Sequence, residues 1–337
     1  MIDTIDWEAA TRMGLRLIPP GPRIPAADRA AVVAQLRQAA EQAIELVAVT
    51  SQLPGADLAT SGQTLVVDRP GVVRANAHMM ATVMGELAQG ESPSIFDRVA
   101  GRWTGRGIGT VLAFLATHVL GQYEPFSSRL LLCAPTVELV RQQIGADQHD
   151  FALWVCLHEQ THRLQFAAAP WLRDYLLKLM RRVMEMAEEL PVSPAVVRPS
   201  AESRDLGLIG ALSAPGLEPV LADVQAVMSL LEGYADMLMD MAGASVIPSL
   251  PRIRQAIDQR RRPGSFNLQS WLGRLFGMTS KINQYFEGKT FCEAVRAQVG
   301  LDGLNLAYSS ADLLPTADEL RQPDLWVARC CDGHVAT

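Results

Sequence analysis

Two histidines and a glutamate stand inside an otherwise apolar stretch, Phe151 to Ala169, which reads FALWVCLHEQTHRLQFAAA. No glycine or proline interrupts it before Pro170. The stretch therefore predicts one helix, opened by Asp147 or Asp150 as N-cap and stopped by Pro170. His158, Glu159 and His162 form an H-E-x-x-H. Residues four apart on a helix share a face, one turn apart, so His158 and His162 can direct two ring nitrogens at one point. Burying two imidazoles and a carboxylate among Leu153, Trp154, Val155, Leu157, Leu164 and Phe166 is costly unless they are paired or hold a metal. The chain has only six histidines, and two of them in this register favour a metal over hydrogen-bonded core residues. Zinc fits: it takes imidazole ligands, and a catalytic site uses three protein ligands with one position left for water. Glu159 lies about 100° further round the helix. It cannot share the ligand direction but can reach that water, which is the position of a general base. Cys156 faces elsewhere and reads as a small buried residue.

The third ligand is not in the motif helix. The extended pattern H-E-x-x-H-x-x-G-x-x-H would need glycine at position 165 and histidine at position 168, and the chain has Gln165 and Ala168. Glu232 is the best candidate, because it sits in a second apolar helical run beside Val227, Met228, Leu230 and Leu231, where a lone carboxylate is expensive. Asp236 follows one turn later on the same face. It could accept the spare N–H of a ligand histidine and so fix its tautomer.

Composition narrows the class. The 337 residues are 49% hydrophobic and 20% charged, which marks a globular chain. A net charge of −6 argues against nucleic acid as a partner. The basic cluster Arg260-Arg261-Arg262 precedes Pro263-Gly264 and reads as a solvated loop edge. Five cysteines with no metal-knuckle spacing argue against a disulfide scaffold and fit a reducing cytoplasm. The start, MIDTIDWEAATRMG, carries no apolar signal segment. The longest apolar run, Ile108 to Leu120, falls short of the roughly 20 residues a bilayer span needs and reads as a buried helix. A soluble, cytoplasmic protein with no membrane partner is expected.

Hydrophobic periodicity predicts helices at 5–18, 26–50, 72–88, 137–144, 171–190, 217–242, 249–261, 268–287 and 290–299, with short strands at 64–68 and 130–134. The stretch 191–216 is rich in Pro, Ser and Gly and reads as a connection or lid. GRWTGRGIG, 101–109, lacks the G-K-S/T of a phosphate loop and reads as close helix packing. The fold class expected is α+β, predominantly helical, with a small sheet. One domain is expected: an N-terminal helical part over about 1–63, a catalytic core over about 64–300 and a C-terminal tail over about 301–337.

H-E-x-x-H on one helix with E-x-x-x-D on a later one resembles the gluzincin pattern of zinc metallopeptidases. More closely, the chain resembles a bacterial zincin-like family described as uncharacterised zinc-dependent metalloproteases or hydrolases, some of whose members carry a label of association with coenzyme F420 biosynthesis. The matching stretches are DW at 6–7, VVDRPGVVRAN at 66–76, VLGQYEPF at 119–126, LWVCLHEQTHRLQF at 153–166, PWLRDYL at 170–176, EGYADMLMD at 232–240 and KINQYFEGKTF at 281–291. The resemblance implies a zincin-like fold, a Zn2+ cofactor held by His158, His162 and Glu232, Glu159 as base and Asp236 in support. Many members have histidine where this chain has Tyr234.

The reaction expected is hydrolysis of a peptide or protein substrate by metal-activated water, with Glu159 taking the proton and passing it to the leaving amine. An oxyanion donor is also needed; Tyr285 is chosen, over Tyr234, His118 and His149. Glu159-x-x-His162 also fits a di-iron bundle, but that class needs a second E-x-x-H, which the chain lacks. A non-catalytic zincin-like metal-binding or interaction protein is the main rival. Glu159 argues against it, since a structural zinc site has no use for a base. Other amides or esters are alternative substrates for the same site.

Overall fold

The computed structural model describes residues 5–60, 62–88, 105–189, 218–261 and 285–331. In chain order the elements are α1 (Trp7–Leu17), α2 (Ala26–Ser51), α3 (Ala56–Thr60), β1 (Gln63–Val67), α4 (Arg69–Ala88), α5 (Gly105–His118), β2 (Gly121–Glu124) and β3 (Arg129–Cys133). They continue with α6 (Ala134–Ile144), α7 (Gln148–Ala168), α8 (Trp171–Glu189), α9 (Glu218–Gly243), α10 (Leu250–Arg261) and α11 (Tyr285–Asn305). Two 3-10 turns (Leu306–Tyr308 and Ala311–Leu313), α12 (Ala317–Arg321) and α13 (Pro323–Cys331) follow. The architecture is mostly helical with one three-stranded sheet, as the hydrophobic periodicity and the few short β-branched runs predict.

The motif helix α7 is the axis of the main core. Asp147 is its N-cap and accepts from the backbone N–H groups of His149 and Asp150. Every residue from Phe151 to Leu157 is buried. A helix apolar on all sides must be covered on all sides, and α2 and α9 lie along it. Polar contacts fix the register: Gln160 Nε2 donates to Ala40 O at 2.8 Å, and the Asp150 carboxylate accepts from Ser249 N at 2.9 Å. A smaller cluster around Ala10, Val72, Val73, Ile108 and Leu112 joins α1, α4 and α5. There Gly109 meets α1: a Cβ on it would lie 2.6 Å from the Met13 Cβ, so the glycine serves close helix packing.

The sheet has the order β1-β3-β2, with β1 parallel and β2 antiparallel to β3. β2 is an edge strand that runs beside α7. Its sequence, GQYE, gave no strand signal, having neither β-branched residues nor clear alternation. The expected helix break between 287 and 290 is absent. α11 is continuous there, because Gly288 packs against the Ser229 backbone, and the break falls at Gly300 (φ 75°). α6 begins at Ala134, ahead of the expected 137, with Pro135 in its first turn, where its missing N–H costs nothing. Residues 301–331 are built into the main core: Trp326 is fully buried, donates to Leu313 O at 2.9 Å and packs edge-on against Phe291. The expected connection over 191–216 and most of the expected helix over 268–287 lie outside the described residues, as do the side chains of Arg260 and Arg261 and all of Arg262. Among the described residues no helix is long and apolar enough to cross a membrane.

Candidate metal centre

α7 presents His158 and His162 from successive turns, with rings edge-on and centroids 4.7 Å apart. Their Nε2 atoms are 3.1 Å from each other. α9 brings Glu232 opposite: Oε2 is 3.4 Å from His158 Nε2 and Oε1 is 3.5 Å from His162 Nε2. One donor atom from each of the three residues falls within a 4.8 Å cluster. Two zinc bonds of roughly 2.0–2.2 Å at a tetrahedral angle span about 3.3–3.5 Å. The spacing and the N,N,O chemistry of the cluster therefore fit a zinc ion. All three side chains keep between 14 and 18% exposure, so the cluster is open to solvent on one side.

Glu232 is subject to opposing effects. Burial raises its pKa, but the neighbouring imidazoles of His162 and His158 outweigh that and hold it at about 2. Glu159 goes the other way. Burial is the largest influence and carries it to about 7, with Glu232 adding repulsion and His162 and the Tyr123 backbone N–H pulling back. The two carboxylates thus differ in proton affinity: Glu232 is kept ionised, and Glu159 is raised toward neutrality, the range in which general acid–base groups work.

Edge strand β2 lies against Glu159. The Leu120 carbonyl accepts from Cys133 N, and Gln122 and Glu124 pair with Leu131 and Arg129. Backbone groups alternate along an antiparallel strand, so those of Gly121 and Tyr123 point away from β3. Tyr123 thus turns its backbone N–H toward the side of β2 on which Glu159 lies, and this lowers the carboxyl pKa against the larger effect of burial. Gly121 permits the approach: a Cβ there would lie 2.5 Å from Glu159 Cγ.

The remaining expected residues take various places. Asp236 Oδ1 accepts from Arg254 Nη1 at 3.1 Å, and its carbonyl accepts from Arg254 Nη2 at 2.7 Å. Arg254 also bonds Asp240 and lies over the Trp154 ring. Tyr285 is the first residue of α11, and its side chain lies outside the described ones. Tyr234 points from α9 into the core, where its hydroxyl donates to Asn305 Oδ1 at 2.8 Å. Two residues beyond Glu232 on a helix, it must face nearly the opposite way, so it is not an oxyanion donor. His149 is bonded to Gln35 in the first turn of α7, and His118 stacks on Phe114 at the exposed end of α5. At about 1.5 Å rise per residue, His149 is roughly 13 Å along the helix from His158. Sequence reasoning missed Gln165, whose Oε1 is 2.9 Å from His162 Nδ1. Its position, three residues after the second histidine of the H-E-x-x-H in an apolar helix, was the available signal.

Two imidazoles from one helix and a glutamate from a second, with a buried carboxylate beside them, form the kind of donor set that metal-dependent hydrolases use. The chain matches the zincin-like metallopeptidase family over residues 5–327 and belongs to it. Among solved structures it is similar to a protein from Chloroflexus aurantiacus described as a "putative hydrolase with a novel fold". The similarity is 29% identity over 96% of this chain and 98% of that one, with a TM-score of 0.68. No curated protein matches the chain.

Proposed function

We propose that the protein is a zinc-dependent peptidase in which His158, His162 and Glu232 hold the metal and Glu159 is the general base. The observation that carries this reading is the convergence of one donor atom each from His158, His162 and Glu232 within 4.8 Å of one another, with Glu159 buried on the same helix between the two histidines. Zinc bound by those three donors would supply Lewis-acid polarisation of a carbonyl and a lowered pKa for water. Glu159 accepts the proton of the attacking water and returns it to the leaving nitrogen. A peptide is the favoured substrate because the family to which the chain belongs is one of zincin-like metallopeptidases. Asp236 supports the site from one turn beyond Glu232.

Tyr285 is the proposed oxyanion donor. It lies one turn before Gly288, which packs on the α9 backbone at Ser229 and Gly233, next to Glu232. The test is hydrolysis of a mixture of quenched fluorescent peptides by zinc-loaded protein and by Glu159→Gln. Cleavage by the parent, with at least a hundredfold loss in the variant at unchanged zinc content, is expected. Equal rates in the two would remove Glu159 from the mechanism. No cleavage by the zinc-loaded parent would favour a metal-binding protein without peptidase activity.

A further inference from the structure

Gln165 is fully buried in α7, one turn beyond His162, and its amide makes three contacts. Its nitrogen Nε2 lies 3.0 Å from the Leu231 carbonyl and 2.8 Å from the Tyr308 hydroxyl, while Oε1 faces His162 Nδ1 at 2.9 Å. These partners leave no freedom in how the amide is oriented. A main-chain carbonyl can only accept, so the group facing Leu231 must be the NH2. The amide oxygen is then the atom facing His162. An amide oxygen can only accept as well, so His162 must carry a proton on Nδ1. In its neutral form the imidazole therefore keeps its lone pair on Nε2, the atom that meets His158 and Glu232. The same amide grips the residue immediately before Glu232, so one side chain ties the motif helix to the helix of the third ligand.

We propose that Gln165 is a positioning residue for the metal centre. It selects the Nδ1–H tautomer of His162, so that Nε2 is free to bind a cation, and it sets α9 so that Glu232 arrives opposite. Tyr308 braces it from the far side, with its ring edge-on to Tyr234. This inference rests on the reading of His158, His162 and Glu232 as the zinc ligands.

The test uses the full chain stripped of metal, with zinc affinity measured by competition against a chromophoric chelator. Gln165→Met keeps the volume and removes the acceptor. It should weaken zinc binding about 10- to 100-fold, the usual cost of losing such a partner. Tyr308→Phe leaves the His162 contact in place, so it should lower the melting temperature while changing zinc affinity less than about threefold. If Gln165→Met binds as tightly as the parent, or Tyr308→Phe weakens binding as much as Gln165→Met, the positioning role is overturned. Nitrogen-15 NMR of the unsubstituted, metal-free chain at pH above the imidazole titration gives a readout independent of variant folding. His162 as the Nδ1–H tautomer is expected, and the Nε2–H tautomer overturns the assignment. Failure of the underlying zinc reading has a different signature: His158→Ala and His162→Ala would then bind zinc as the parent does.

Discussion

Gly233 and Gly288 face each other where α9 crosses α11. A Cβ on Gly233 would lie 2.1 Å from the Gly288 carbonyl carbon, and one on Gly288 would lie 2.0 Å from the Ser229 carbonyl oxygen. The two backbones touch with nothing between them, beside Glu232. Alanine at either position must push the helices apart, and overpacking of this kind costs about 1–3 kcal/mol or more. Gly233→Ala is expected to lower thermal stability by that amount and to weaken zinc binding as well, since Glu232 moves with the helix. Calorimetry and zinc titration on the same sample check both.

The proposed metal donors, His158, His162 and Glu232, are expected to act as a set. Metal analysis of purified protein should find one zinc per chain, falling to a small fraction in His158→Ala, His162→Ala and Glu232→Ala. Cys156→Ser should retain its zinc, because that thiol is fully buried beside the Leu36 carbonyl and away from the cluster. Zinc that survives all three substitutions would move the metal site elsewhere.

Removing the metal exposes a pH dependence with a definite sign. The Glu159 pKa is raised by burial from 4.5 to about 7. Between these values the metal-free folded chain keeps a proton that the unfolded chain has released, so stability falls as pH rises through the window. The loss reaches roughly 3 kcal/mol at its upper bound, at about 1.36 kcal/mol per pKa unit. Glu232 acts in a lower window: its pKa of about 2 gives stability that is present above 4.5 and lost as pH falls toward 2. In chelated protein the stability gain of Glu159→Gln over the parent should therefore grow from pH 5 to pH 8, as read by denaturant melts. A flat difference would mean that the carboxylate is solvated in the folded chain.

Gly121 separates strand placement from metal binding. Valine at this position would drive a branched side chain into Glu159, which already leaves no room for a Cβ. Gly121→Val should keep its zinc and lose most hydrolysis, with the fall in kcat rather than in metal content. Retained turnover would show that β2 need not lie against the base.

What could be read in the chain depended on the range over which each signal acts. His158, Glu159 and His162 declare themselves through spacing on one helix, and Glu232 through being a carboxylate in an apolar run. Gln165 stood in plain view as a departure from a longer motif, yet its contacts to Leu231 and Tyr308 come from distant parts of the chain and leave no local trace. β2 went unread because four residues without β-branching carry no periodicity, and because its strand character comes from β3 and α7. Gly288 suggested a turn, since glycine destabilises helices by about 1 kcal/mol; the contact with Ser229 overrides that preference. Residues 301–331 suggested a tail because their elements are too short to show a hydrophobic face, though they seal the core through Tyr308 and Trp326.

The brace that Tyr308 places on Gln165 has a consequence for the order of events during synthesis. His158 and His162 leave the ribosome long before Tyr308 does, and at roughly 5–20 residues per second the interval lasts several seconds or more. For that time the nascent chain holds the two imidazoles with neither the Glu232 helix nor the brace in place. A cation taken up then would meet an incomplete and unselective pair of donors, whereas one that arrives after Tyr308 has docked meets a finished site. The full N,N,O donor set of His158, His162 and Glu232 is thus a property of the folded chain and not of the nascent one.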